Sequence, residues 1–366
     1  MCHGANPAIQ RRYNPDSMSF RTLFLTLVGA SCLGPSESRA QDVHFSQFWQ
    51  APGVRNPALI SLAKGDVQAT ALYRNQWGSV GNAFSTALMQ ASYRMPFRVG
   101  NGNNDYLSFG LAAYSDRAGS LGLRTSAAYP AVTYNKNLGG ERRSYLAVGL
   151  TGGYLQRSFD ASKMTVDNQW VSNAYVASAA TRENITNPTL QAWDVGVGVA
   201  YSSAIGTDNQ HVMYAGVSAY NLTRPKWNFK ESDPSVNRPT RFNANLGFGF
   251  SIPEGWRIEA QANFIKQGPA TELMLGAIGS WQRDPSRFSD AAFSFGAGVY
   301  YRYQDALIPM VRVTYRTLTL TTTYDLNVST LRAATQLRGG YEMSLTYSGL
   351  FSNSSSDREG ASCPVF

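Results

Sequence analysis

Outside the first forty residues, His44, His211 and Cys363 are the side chains best suited to catalysis. A surface hydrolase or acyltransferase needs a nucleophilic Ser beside a His base that is oriented by an acidic or amide group. No Ser with an Asp or Asn partner is recognisable by spacing around His211, which reads as a turn residue at a strand start. His44 has no companions at metal-ligand spacing and reads as a packing or capping residue. Gly196-Val197-Gly198, Gly247-Phe248-Gly249 and Gly296-Ala297-Gly298 have the residue type of a phosphate loop, but none opens a helix. They sit mid-strand, where glycine relieves crowding or marks a bend. The expectation is a protein that is not an enzyme, with no cofactor and no metal.

The elements that carry these residues follow one rule. Only 15% of the 366 residues are charged while 12% are aromatic, and the chain is still hydrophilic on average. Ordinary soluble domains carry about 25% charged residues. From Val67 to Tyr347, segments of 9 to 13 residues alternate apolar with small or polar side chains, separated by turn-formers. In one of them Tyr341, Met343, Leu345 and Tyr347 oppose Glu342, Ser344 and Thr346. In another Phe242, Ala244, Leu246, Phe248 and Phe250 oppose Asn243, Asn245, Gly247 and Gly249. Period-2 alternation marks strands with different environments on their two faces. Sandwich strands average about 5–6 residues, whereas these approach the length that crosses a tilted bilayer. Many begin or end in Trp, Tyr or Phe, as aromatic girdles do. A closed barrel is the sheet that leaves no edge to desolvate in lipid.

The reading is an all-β transmembrane antiparallel barrel of fourteen strands, near 67–76, 83–95, 105–115, 126–136, 144–156, 190–202, 210–221, 242–251, 256–266, 271–282, 291–302, 308–316, 317–326 and 338–348. If the first strand rises from the periplasm, the long connections 157–189 and 222–241 both fall outside. Residues 1–40 read as a leader and signal peptide, with Arg21, an apolar run Thr22–Leu33 and a Ser38-Arg39-Ala40 cleavage site. Residues 41–66 form a periplasmic or lumen-occluding segment, 67–348 the barrel and 349–366 a periplasmic tail. Cys2 and Cys32 leave with the leader, so Cys363 has no intramolecular disulfide partner. The net charge of +8 is spread without a basic run, which argues against nucleic acid as a partner.

Parity puts Arg74, Arg94, Glu259, Glu272, Arg302, Arg312, Arg316, Asp325 and Glu342 on the inward face. A lumen-filling salt-bridge network is favoured over a charge-lined pore, because uncompensated charge is costly near low-dielectric walls. In the second long connection Arg224, Lys226, Trp227 and Phe229 combine basic and aromatic residues of the kind that anchor protein partners.

Gln41-Asp42-Val43-His44-Phe45-Ser46-Gln47-Phe48, Asn56-Pro57-Ala58-Leu59 and Tyr73-Arg74-Asn75-Gln76-Trp77 strongly resemble the start of the PorP/SprF family of type IX secretion system outer-membrane proteins. The resemblance runs on through Ala219-Tyr220-Asn221-Leu222-Thr223-Arg224-Pro225, Tyr301-Arg302, Asp305-Ala306-Leu307-Ile308-Pro309, Tyr324-Asp325, Gly340-Tyr341-Glu342 and the closing Cys363-Pro364-Val365-Phe366. It implies a non-enzymatic barrel in the outer membrane of a Gram-negative cell. Its partners would be outer-membrane lipid, the ring and lipoprotein components of the secretion machine, and secreted cargo or adhesins bearing a C-terminal secretion signal, as in gliding motility. The resemblance supplies no catalytic residues. The competing reading is a porin or fatty-acid-type channel for small solutes.

Overall fold

A computed structural model describes residues 42–62, 65–76, 84–96, 105–139, 143–171, 174–176, 178–179, 187–206, 210–229, 237–283, 293–329 and 338–349. The leader, Trp77, and the tail with Cys363 lie outside these residues.

Among the described residues sixteen strands occur in order: β1 (Val67–Gln76), β2 (Phe84–Pro96), β3 (Tyr106–Ala118), β4 (Leu123–Asn137), β5 (Ser144–Ser158), β6 (Trp170–Val171), β7 (Ala174–Tyr175), β8 (Thr189–Ile205), β9 (His211–Tyr220), β10 (Arg241–Ile252), β11 (Trp256–Gln267), β12 (Ala270–Gln282), β13 (Phe293–Arg302), β14 (Ala306–Tyr315), β15 (Leu318–Asn327) and β16 (Arg338–Gly349). Fourteen of them close into one antiparallel barrel, each pairing with its sequence neighbour and β1 pairing with β16. The remaining two, β6 and β7, make a two-residue hairpin within the connection after β5. No helix among the described residues is long and apolar enough to cross a membrane.

The wall is inside out relative to a soluble fold. In β16 Tyr341, Met343 and Leu345 are 41–50% exposed, while Glu342 and Ser344 are 1% exposed. This is the burial that alternation produces when the apolar face meets lipid and the polar face meets a packed interior. Trp256 and Trp281 pair at one rim on the outer face, and Tyr73, Tyr324 and Tyr341 cluster near the other. The two longest connections, after β5 and after β9, leave from the same end, called here the long-loop end. The tight connections Pro253–Gly255 and Arg316-Thr317 lie at the opposite, short-turn end.

The interior is occupied by the chain's own residues 42–62, the plug. It starts at the long-loop end, where Asp42 meets Arg238 and Gln267, and descends to the short-turn end, where the Ser61 carbonyl accepts from Arg94. Three short turns shape it: a 3-10 turn Phe48–Gln50, a single α-helical turn Pro52–Arg55 begun by proline, and a 3-10 stretch Pro57–Leu62. Irregular backbone at membrane depth is tolerated where protein satisfies it. The wall supplies the donors: Gln90 Nε2 to the Gln50 carbonyl at 2.8 Å, Tyr220 Oη to Gly53 at 2.8 Å, Ser218 Oγ to Arg55 at 2.7 Å and Thr133 Oγ1 to Pro57 at 2.7 Å.

Candidate functional site

The site where function concentrates is the seam between plug and wall, and inward-facing strand positions build it. Arg74 on β1, Glu342 on β16, Asp325 on β15 and Arg302 on β13 all project inward near the long-loop end. Arg74 Nη1 donates to Glu342 Oε1 at 2.6 Å and Nη2 lies 3.4 Å from Asp325 Oδ2. Arg302 reaches Asp325 at 3.0 Å, Asp305 at 2.8 Å and Glu272 at 4.0 Å. A bulge between Asp325 and Leu326 shifts the β15–β16 register where Asp325 is aimed inward. Glu342 also accepts two consecutive plug amides, Ser46 N at 2.6 Å and Gln47 N at 2.8 Å. Ser46 Oγ donates to Asp325 at 2.6 Å and accepts from Arg74 and Arg302. One serine thus joins both arginines and a carboxylate to the plug.

Below this cluster Asn56 seats the next part of the plug. Its Oδ1 accepts from the Ala58 amide at 2.9 Å, and its Nδ2 lies 3.1 Å from Asn245 Oδ1 and 3.3 Å from the Val217 carbonyl. The approach is close because the wall has glycine there. A Cβ on Gly198 would lie 2.0 Å from Asn56 Oδ1, and one on Gly149 would lie 2.5 Å from the Ala58 nitrogen.

Toward the short-turn end Glu259 on β11 accepts from Arg257 Nε at 3.1 Å and from Arg312 Nη1 of β14 at 2.8 Å. Of the inward charges read from parity, Arg74, Arg302, Asp325, Glu342 and Glu272 come together in one cluster, and Glu259 with Arg312 in another. Arg316 joins neither. It sits exposed on the β14–β15 turn with φ of 53°, its guanidinium 5.5 Å from the Tyr315 ring centre. It nevertheless lines the mouth of a short-turn cavity that Arg257 and Arg312 also line, so its inward placement agrees with alternation although no ion pair holds it among the described residues.

The long-loop rim is tied to the plug. Arg238 Nε donates to Asp42 Oδ1 at 2.9 Å, and Arg241 lies 3.6 Å from the same carboxylate. Burial alone would raise the Asp42 carboxyl, but the Arg238 and Arg241 guanidiniums outweigh it and hold it below the usual carboxylate range. Trp227 lies between two guanidiniums, Arg238 at 4.7 Å and Arg157 at 5.3 Å from its ring centre. Phe229 packs edge-on against Phe159 at 4.7 Å. Both rings are half-buried; Arg224 and Lys226 are exposed.

His44 lies in the upper cluster, its Nε2 3.4 Å from Arg74 Nη2 and its Nδ1 3.9 Å from Glu272. Burial and the Arg74 and Arg302 guanidiniums depress its pKa well below the ordinary imidazole range, so the Glu272 contact is not an ion pair at neutral pH. His211 accepts from the Ser251 amide at 3.2 Å. Among the described residues no group of three His, Cys, Asp or Glu side chains could hold a metal ion.

Sequence reasoning assigned no role to Ser46, Gln47, Asn56, Arg238 or Arg241. The signal for the first three was present, since they fall within the segments that carry the family resemblance. Those segments, with Arg74, Asp305, Asp325 and Glu342, converge on the plug seam. Residues 37–347 match the family described as type IX secretion system membrane protein PorP/SprF. The chain belongs to the PorP/SprF family. As a member it is a type IX secretion membrane protein, and its closed fourteen-strand barrel places it in the outer membrane. None of the curated proteins compared with it matches. Among solved structures it is similar to the Ralstonia pickettii toluene transporter TbuX, with 10% identity, 81% of this chain and 92% of that chain covered, and a TM-score of 0.44. It is also similar to a Pseudomonas aeruginosa FadL homologue, with 11% identity, coverage of 81% and 93%, and a TM-score of 0.43.

Proposed function

We propose that this PorP/SprF protein acts as a sealed scaffold of the type IX secretion apparatus, neither an enzyme nor a solute conduit. The single observation behind this reading is the plug: residues 42–62 fill the lumen and are bonded to the wall from the long-loop end to the short-turn end. In this reading the long-loop end faces outward and offers the connections after β5 and β9 to secreted cargo with a C-terminal signal. The short-turn end meets ring and lipoprotein components. Arg224 and Lys226 supply exposed cations, while Trp227 and Phe229 stiffen the loop that displays them. The Trp227–Arg238–Asp42 chain gives a pull on that loop a path to the plug.

Two measurements test it. In planar bilayers the purified barrel stays electrically silent, and steady ion-selective openings would favour the channel reading instead. Affinity purification from cells that secrete through the type IX route recovers a ring or lipoprotein component or a C-terminal-signal cargo. The Arg224→Ala/Lys226→Ala double variant loses the cargo and keeps the machinery, and recovery of neither class from the unaltered protein counts against the scaffold.

A further inference from the structure

At the short-turn end the plug leaves a cavity of about 180 Å³ between itself and strands β1, β9 and β11–β16. Its mouth is ringed by uncharged polar side chains, among them Gln68, Gln282, Ser294, Thr314, Thr319 and Ser348. Its inner wall is cationic. Arg55 from the plug and Arg257 and Arg312 from the barrel line it, against the single carboxylate of Glu259. Both Glu259 oxygens are engaged, one by Arg257 and one by Arg312. Three guanidiniums and one carboxylate leave a formal surplus of two positive charges before Arg316 at the mouth is considered.

Arg55 is the deciding residue. It is 7% exposed, and among the described residues no carboxylate pairs with it. Its polar contact is a long one, Nη1 to Tyr214 Oη at 3.5 Å, and its guanidinium lies over the Phe48 ring at 5.2 Å. The Nε of Arg55, the Nε of Arg312 and the indole Nε1 of Trp49 are all buried without a hydrogen-bond partner, and all three residues line this cavity. These are three N–H donors with no acceptor.

Buried cations are ordinarily paired, and buried donors ordinarily find acceptors. A pocket lined by residues that carry unmatched guanidinium and indole donors, with surplus positive charge and a hydroxyl-rich entrance, has the chemistry of an oxyanion site. A single water needs about 10–15 Å³ of such cavity space, so there is room for a small polyatomic anion. We propose that the short-turn cavity binds an oxyanion, a carboxylate or phosphate group, held by Arg55, Arg312 and Trp49 and admitted from the short-turn end. The site is independent of whether the scaffold reading holds, because it rests on the cavity and its charges alone.

The test is calorimetric titration of the full-length protein in detergent at low ionic strength, with inorganic phosphate and with succinate in separate runs. Saturable binding of at least one probe is expected, with a dissociation constant on the order of 1 mM. Binding by phosphate alone assigns a phosphate ligand, and binding by succinate alone a carboxylate. Arg55→Met should weaken binding by about tenfold or more, since a charge-assisted donor is lost. Glu259→Gln should strengthen it, because two guanidiniums are released. Arg124→Gln, exposed and bonded to Ser115 near the long-loop end, should change nothing. If Arg55→Met fails to fold, judged by its heat-dependent gel mobility, Arg312→Met with Glu259→Gln gives the same two opposed shifts. No saturable binding of either probe, or binding indifferent to both arginine substitutions, overturns the proposal.

Discussion

At the long-loop end of the lumen Arg74 and Arg302 are surrounded by Glu272, Asp305, Asp325 and Glu342, whereas at the short-turn end Arg257 and Arg312 share Glu259 and Arg55 pairs with no carboxylate among the described residues. The upper cluster has surplus carboxylate, and the plug neutralises it with Ser46 Oγ and the Ser46 and Gln47 amides. Nearly every charge there is matched within the molecule, so the cluster acts as a lock. The lower cluster has surplus guanidinium, and among the described residues no plug carboxylate pairs with it. Two charge sets in one lumen therefore differ in kind. One fixes a segment in place, and the other leaves buried donors without acceptors.

The sharpest way to break this contrast is to strip the lock. Arg74→Met leaves Glu342 and Asp325, 1% and 2% exposed, short of a shared cation. Losing one partner of a buried ion pair costs about 3–5 kcal/mol. Thermal unfolding followed by heat-dependent gel mobility should show that loss. The Arg74→Met/Glu342→Met double variant should lose less than the sum of its singles, because the ion pair is then removed together while the Ser46 and Gln47 amides still lose their acceptor. A double variant as unstable as the sum of its singles would mean that the two side chains are not a lock.

A smaller effect is expected between the two ends, where shape and not charge holds the plug. Gly198→Ala pushes a methyl to 2.0 Å from Asn56 Oδ1, and Asn56 is held by three other contacts and cannot yield freely. Overpacking of this kind costs about 1–3 kcal/mol. Gly152→Ala in the adjacent strand meets nothing within 4 Å and should be neutral. Equal melting temperatures for the two variants would show that the wall does not grip the plug there.

The plug should also respond to acid at its long-loop end. His44 keeps 25% of its side chain exposed, so solvent protons can reach it. Its folded pKa is depressed, first by burial and then by the Arg74 and Arg302 guanidiniums. The unfolded chain therefore takes up a proton first as pH falls below about 6.5. Stability is full above that pH and declines steadily below it until the folded pKa is reached. Asp42, also depressed in the folded state, adds a second decline below about pH 4. Melting temperature recorded from pH 8 to 5 should fall, and His44→Asn should flatten the curve in that range. An unchanged slope in the variant removes His44 from the account.

How much of this was legible beforehand divides along physical lines. Strand number, order and facing were readable because a lipid-facing wall forces period-2 alternation, and that signal is local. The ends of β12 and β14 fall within two residues of the segments read from alternation. The pairing of Arg74 with Glu342 was not readable, since their adjacency depends on closure of β1 onto β16. The path of residues 42–62 was equally hidden. Its short turns have no periodicity, and the glycines that admit Asn56 look in sequence like ordinary strand relief. The strand end at Tyr315 was hidden for the converse reason: a two-residue turn looks like continued alternation when only side-chain type is counted, so Arg316 reads as strand although it lies on the turn at the cavity mouth.

The smallest effect is expected where the lower cluster is least paired. Arg55→Met removes a buried cation that has no carboxylate partner, so it exposes no opposite charge. What it loses is a weak contact to Tyr214 and the approach to Phe48, and a thioether retains favourable packing against an aromatic ring. Replacing a buried charge by an apolar group of similar volume is often neutral or stabilising. In a buffer free of phosphate and carboxylate, Arg55→Met should therefore melt within about 1 kcal/mol of the unaltered protein, against the several lost on Arg74→Met. Adding an oxyanion should then stabilise the unaltered protein and leave the variant where it was, since a ligand raises the melting point only of a chain that binds it. If Arg55→Met is as damaging as Arg74→Met without any anion present, the two ends of the lumen do not differ in kind, and Arg55 is another part of the lock.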